Sequence, residues 1–433
     1  MVNNERTTCA VVGGGPAGLV LGLILARAGV EVTVLEKHAD FLRDFRGDTV
    51  HASTLTLLDE LGLGPRFAEL PQRRIEQARV QLDTGSATVA DMRRAPGAHQ
   101  HIALVPQWDL LDLIADAAEA EPTFTLLRNA EVVDVLHDEG RVAGVRYRDR
   151  TDATVHELYA SLTIACDGRG SAVRAAAGLH PRSFGVPIDV WWFRLPRHDD
   201  DPAGGLGRVS SGQFMVMIDR GDYWQCAFLI RKGSDATLRA AGPERFRERL
   251  AALTPWVADR LDALESLDDV KLLDVRLDRL RHWHRDGLLL IGDAAHAMSP
   301  VGGVGINLAV QDAVAAARLL GPALRSGGIV PTSVLARLQR RRWLPTALIQ
   351  GGQRLAHRVV IGRRAATADD PLPPTAPTTP APVDTLPLPL RLAQRFPVLQ
   401  GIPARLIAIG PLPEHAPAWA RREPEPVPTA GER

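Results

Sequence analysis

The clearest chemistry in this 433-residue chain lies near its amino terminus, in Gly13-Gly14-Gly15-Pro16-Ala17-Gly18, a G-x-G-x-x-G turn. The first glycine of such a turn makes the bend, the second lets the backbone approach a pyrophosphate, and the third lets helix pack on strand. Free N–H groups and the dipole of the following helix favour the negative charge. Glu36, followed by Lys37, lies 18 residues beyond Gly18. That is near the offset of about 20 at which a carboxylate accepts hydrogen bonds from an adenosine ribose, so the pattern predicts an unphosphorylated ribose, as in NAD or FAD. Two further acids end apolar runs, in Asp167-Gly168 and Gly292-Asp293, where an open α/β sheet gathers its ligand contacts. Asp167 can equally be a helix cap. Arg43 and Arg46 are suited to clamp a phosphate bidentately, or are surface arginines. Gln107 opens a helix and can reach either a ligand hydroxyl or the helix end. The glycines of Ser299-Pro300-Val301-Gly302-Gly303-Val304-Gly305-Ile306-Asn307 let backbone approach a flat ligand, with a helix dipole aimed at it from near Gly305. His296 reads as a hydrogen-bonded structural histidine.

Positioning these residues takes a β-α-β unit, with strand Cys9–Val12, helix Leu19–Ala28 and strand Val30–Leu35. Buried strands are predicted again at Leu162–Cys166 and Gly287–Ile291, each running into one of the acidic motifs. Between them, Phe184 to Leu273 changes character: strand-like runs carrying Trp191, Trp192, Phe214 and Trp224 predict an antiparallel sheet. Arg79–Val89 alternates as one half-buried strand, Phe124–Tyr147 as a meander about Asp138-Glu139-Gly140, and Pro106–Ala120 as a helix. The expected fold is therefore α/β, a Rossmann-like dinucleotide domain with an inserted, mostly antiparallel β-sheet domain and C-terminal helices. The nucleotide domain takes 1–75, 100–180 and 280–330, the inserted sheet 76–99 and 181–279, and helices 331–365. Eight prolines in Asp369–Pro389 make 366–389 an extended linker. An amphipathic basic helix and a tail, disordered from Glu414, complete 390–433.

Composition narrows the function. Lys+Arg and Asp+Glu balance at 51 each, so no general basic field points to nucleic acid. Three dispersed cysteines match no disulfide framework and no metal site. No apolar leader and no run of about 18 apolar residues occurs, which predicts a soluble cytoplasmic protein.

With those three motifs in this order, the chain from about Thr8 to Leu320 resembles the FAD-dependent aromatic hydroxylases, the single-component flavoprotein monooxygenases of the para-hydroxybenzoate hydroxylase fold. The resemblance implies that Glu36 holds the adenosine ribose, that Arg46 lies by the pyrophosphate, and that Gln107 and Asp293 bind the ribityl chain. Val132, in Ala130-Glu131-Val132, would contact adenine through its backbone. Asp167 would serve both FAD and the encounter with NAD(P)H. Pro300 to Asn307, with Gly303, Gly305, Ile306 and Asn307, would line the isoalloxazine ring. Pro300, Arg46 and Tyr223 are the candidates for roles in the reaction itself, with Tyr223 and His51 as candidate substrate bases. Only one G-x-G-x-x-G unit is present, so NAD(P)H would bind transiently. The implied activity is insertion of one oxygen atom from dioxygen into an aromatic or polyketide-like small molecule, through a flavin hydroperoxide, by a monomer or homodimer. Epoxidation, Baeyer–Villiger insertion or double-bond reduction on the same fold, and a non-catalytic flavin-binding protein, are the alternatives. No W-x-W-x-I-P run marks a halogenase, and the tyrosine network of some relatives is missing, since Tyr223 is the only tyrosine in the inserted domain.

Overall fold

Leucine, isoleucine and valine runs that are buried on both faces build the central sheet, as parallel strands require. The computed structural model describes residues 4–42, 49–83, 85–202, 205–210, 213–358, 386 and 388–423. Five parallel strands lie in the order Leu288–Leu290, Val155–Ala165, Asn4–Val12, Val32–Leu35 and Phe124–Leu127. Their register fixes the rest: Val12 pairs with both Ala165 and Leu35, and Ala165 with Leu290. The strands therefore end level, and the next residues of each, Gly13, Glu36, Cys166-Asp167 and Ile291-Gly292-Asp293, leave the sheet along one edge. Helices Pro16–Arg27 and Gly305–Arg325 pack on each other over this sheet. A hairpin, Ala130–Asp138 and Arg141–Asp149, turns at Glu139-Gly140 with positive φ and joins Val155–Ala165 antiparallel.

The second sheet has seven strands, and its pleat sorts the aromatic residues. Trp191, Phe193, Trp224 and Phe228 face the helices Asp235–Ala240 and Gly242–Leu253 as a buried core. Phe246 stands edge-on to three rings, Trp191, Phe193 and Phe228, at 5.0, 5.3 and 5.4 Å. Val190, Trp192, Phe214, Val216, Ala227 and Leu229 form the opposite face, on which Val301 packs. This face meets the glycine-rich loop.

Three readings of the sequence change. Arg79–Val89 is two strands, Gln77–Leu82 and Gly85–Asp91, because the chain turns back on itself while alternation continues on either side. Helix resumes at Leu388, two residues inside the expected linker, whose remaining residues except Leu386 and Pro389 lie outside those described. The segment after Glu414 is ordered to Glu423: Glu414 is buried, Trp419 packs against Gly321, and Arg27 donates to the Ala420 carbonyl at 3.0 Å. Composition hid this because the anchors, Glu414 on Arg341, and Ala416, Trp419 and Ala420 on the main core, meet their partners only through distant elements. No helix among the described residues is long and apolar enough to cross a membrane.

Replacing Phe246 with alanine empties the centre of the second core. We expect a loss of about 3–5 kcal/mol, read as a lower denaturant midpoint.

Candidate functional site

At the sheet edge the backbone leaves no room for side chains where it bends. Gly13 has φ +104°, and a Cβ there would lie 2.7 Å from the Cys166 carbonyl oxygen; one on Gly18 would lie 1.9 Å from the Gly13 carbonyl oxygen. Gly15 differs, since a Cβ would meet nothing within 4 Å. It caps the helix that begins Pro16-Ala17, which has no side-chain cap and no acid in its first turn. The same is true of the helix that begins at Gly305. Both thus present free N–H groups to an anion or a polarised carbonyl. Glu36 is buried and turned back on the bend, accepting from Gly14 N at 2.9 Å and from His38 N at 3.1 Å. Lys37 is exposed and its carbonyl accepts from Arg150 at 3.1 Å. Val132 is buried in the hairpin, paired with Tyr147.

Across the edge, Asp167 both caps and faces the gap. One carboxylate oxygen accepts from Val173 N at 3.2 Å, and the other is buried without a hydrogen-bond partner. Burial pushes its pKa up, against the hydrogen bonds from Ser171 and the helix backbone. Gly168 (φ +81°) opens onto free space, and Ser171 caps the short helix by accepting from Arg174 N at 2.9 Å. The Arg174 guanidinium donates to the Ala294 carbonyl at 2.9 Å and the Arg169 carbonyl at 2.6 Å, tying the two acidic motifs together. Burial also raises the Asp293 pKa, opposed by Arg169 and His296. Neither Asp293 nor the half-buried Gln107 hydrogen-bonds through its side chain to another described residue.

The glycine-rich loop is held from behind. Gln353 donates to the Ser299 and Val301 carbonyls at 2.9 Å each, on either side of Pro300. Thr49 donates to the Gly303 carbonyl at 3.2 Å, and the Asn307 side-chain oxygen accepts from Ser53 at 2.6 Å and Thr54 at 2.9 Å. His51 is fully buried: Nδ1 donates to the Ile407 carbonyl at 2.7 Å, while Nε2 has no partner and faces Gly303. Burial lowers its pKa more than the hydrogen bond to the Ile407 carbonyl raises it, which favours the neutral ring. Tyr223 is not brought to this loop. It sits four residues, about 13 Å along the strand, from Ala227, with Arg194 over its ring at 4.6 Å. Arg46 lies outside the described residues.

Sequence reasoning missed the group that supports this edge. Asp312 is fully buried, accepting from Gly292 N at 3.1 Å, His296 Nε2 at 2.6 Å and Arg342 Nε at 2.8 Å. Arg342 lies 3.6 Å from Glu414, which also forms a bidentate pair with Arg341 at 2.6 and 2.8 Å. Burial pushes the Asp312 pKa up, but His296 and Arg342 outweigh it and hold the carboxyl below the usual range. The one signal was Gln311-Asp312 in an otherwise apolar helical run.

Two expectations follow. Arg342→Met leaves the buried Asp312 carboxylate without its guanidinium partner, held only by His296 and Gly292 N, so it is expected to cost about 3–5 kcal/mol, measured by denaturation. His51 and His357 are both buried and have pKa values lowered by burial. Their unfolded forms take up protons below pH about 6.5, which the folded forms resist, so each removes up to about 1.4 kcal/mol of stability per pH unit as pH falls below that value. His357→Gln should flatten the pH dependence of the denaturation midpoint in this window.

A family model described as "FAD binding domain" matches residues 6–342. The chain is 37% identical over 352 residues to 6-methylpretetramide 4-monooxygenase of Streptomyces rimosus, covering 78% of this chain and 81% of that protein. It is 30% identical to 12-dehydrotetracycline 5-monooxygenase/anhydrotetracycline 6-monooxygenase of the same species, covering 78% and 66%. Among solved structures, Pseudomonas aeruginosa PqsL in complex with 2-aminobenzoylacetate shares the fold, with TM-score 0.71 and 22% identity over 83% of this chain and 98% of that one.

Proposed function

This chain belongs to the FAD-binding family of aromatic monooxygenases, and on that premise we propose that it uses FAD and NAD(P)H to insert one atom of dioxygen into a polycyclic, polyketide-like aromatic molecule. The observation that carries the reading is convergence on one sheet edge: the open Gly15 bend, the orphaned Asp167 oxygen, the unengaged end of Asp293, and two uncapped helix N-termini. An extended dinucleotide meets these needs. The Pro16 helix would take its pyrophosphate, Glu36 its ribose, Gln107 and Asp293 its ribityl hydroxyls, and the Gly303–Asn307 backbone its flat ring. The dipole at Gly305 favours negative charge at that ring's carbonyl edge. When bound, FAD supplies hydride acceptance and oxygen activation.

The rest falls to the protein. Trp192, Phe214, Val216, Ala227, Leu229 and Val301 offer a broad apolar wall that suits fused aromatic rings and excludes water. The Trp192 indole N–H is buried there without a partner, a donor for one oxygen of a ligand. His51 Nε2 faces Gly303 of the glycine-rich loop without a hydrogen-bond partner, and we favour it over Tyr223 as the base. Each chain carries the full set, so a monomer or homodimer suffices, drawing on cytoplasmic NAD(P)H.

Purified protein is expected to be yellow and to oxidise NAD(P)H faster with one member of a polycyclic phenol panel, giving a product heavier by one oxygen. Product gaining two hydrogens instead would indicate double-bond reduction, and colourless protein that refuses FAD would refute the reading. Gly15→Ala separates fold from site: stability should change by less than about 1 kcal/mol, while FAD affinity falls at least tenfold.

A further inference from the structure

The helix Leu388–Arg395 is inside out. Leu388, Leu392 and Phe396, spaced by four, are 57, 41 and 52% exposed, while polar Gln394 points inward and donates to the Thr88 carbonyl at 2.9 Å. The next helix, Gly401–Ala408, repeats the arrangement. Its small Ala404 and Ala408 are buried with Met92 and Ala90, and Ile402 and Leu406 stand out at 61 and 50%. Val398, between the helices, is 72% exposed. An apolar stripe facing away from its own protein calls for another occupant.

Charge decides which. From Leu386 to Pro413 the chain has Arg391, Arg395 and Arg405 and no acidic residue. A second copy of this chain would place the same patch against itself, bringing Arg395 and Arg405 against their like with no acid between residues 386 and 413 to offset them. The exposed side chains stand proud of short helices rather than lining a groove, as insertion into an interface needs and as capture of a partner helix does not. We propose that these two helices dock the enzyme on a bilayer surface bearing anionic lipid headgroups, with leucine, phenylalanine and isoleucine in the acyl boundary and arginines at the phosphates. The docked segment rests on the site: its Ile407 and Ala408 carbonyls accept from His51 and Ser53, and Ser53 in turn holds Asn307. An apolar substrate partitioned into the bilayer would thus be presented beside the glycine-rich loop.

Co-sedimentation of the full-length, FAD-loaded protein with phosphatidylglycerol vesicles, phosphatidylcholine vesicles and no vesicles tests this. Binding is expected to phosphatidylglycerol, at least roughly tenfold weaker to phosphatidylcholine, and weakened by salt. Phe396→Glu/Ile402→Glu and Arg395→Gln/Arg405→Gln should each lower it at least roughly tenfold, with unchanged FAD content and denaturation midpoint reporting that the variants are folded. Absence of binding to phosphatidylglycerol, binding indifferent to both double variants, or a dimer in sedimentation velocity that Phe396→Glu/Ile402→Glu dissociates would each overturn the proposal.

Discussion

Everything at the candidate site depends on one alignment, the level ending of four parallel strands at Val12, Leu35, Ala165 and Leu290. Backbone pairing sets this register, and burial of both faces of the sheet holds it. Because the strands end level, residues separated by hundreds of positions leave the sheet side by side. Gly13, Glu36, Asp167 and Asp293 become neighbours without any direct bond between them. A slip of one residue in any pairing would move one motif by about 3.3 Å along the edge and turn its side chains over.

A second constraint acts from behind. Asp312 holds Gly292 in place while Arg342 and Glu414 hold Asp312, so a chain of buried charges runs from near the end of the described chain to the glycine-rich edge. Such charges are costly to bury singly and stable only as a set. The carboxy-terminal helices act on the same region through different atoms, the Ile407 and Ala408 carbonyls. The site is therefore braced by segments that contribute nothing to its motifs.

The contrast explains what the sequence could reveal. Glycine turns and apolar strands are local: the reason for Gly13 or Gly18 is the bend a few residues away, so spacing alone disclosed them, and the three motifs together were enough to indicate the family. Pleat alternation located the second sheet, yet it could not separate Trp191 from Trp192 in role, because core and site face alternate along one strand. It also ran Gln77–Leu82 and Gly85–Asp91 together, since alternation is indifferent to chain reversal. The brace was illegible. Asp312, Arg342 and Glu414 meet only in three dimensions, and a lone acid in a helix or near a terminus reads as solvated until its partners are known. Tyr223 is a plausible residue type in the inserted domain, but its type alone could not say that it stands at the start of its strand, under Arg194.

The central claim is that this edge, loaded with FAD, splits dioxygen between product and water. The most direct measurement is turnover under heavy-isotope dioxygen with a substrate that stimulates NAD(P)H oxidation, followed by mass spectrometry of product and solvent water. The account predicts one labelled oxygen in each product molecule and one molecule of NAD(P)H consumed for each. Product whose added oxygen comes from water, or NAD(P)H consumption matched wholly by hydrogen peroxide with every substrate tried, would contradict it.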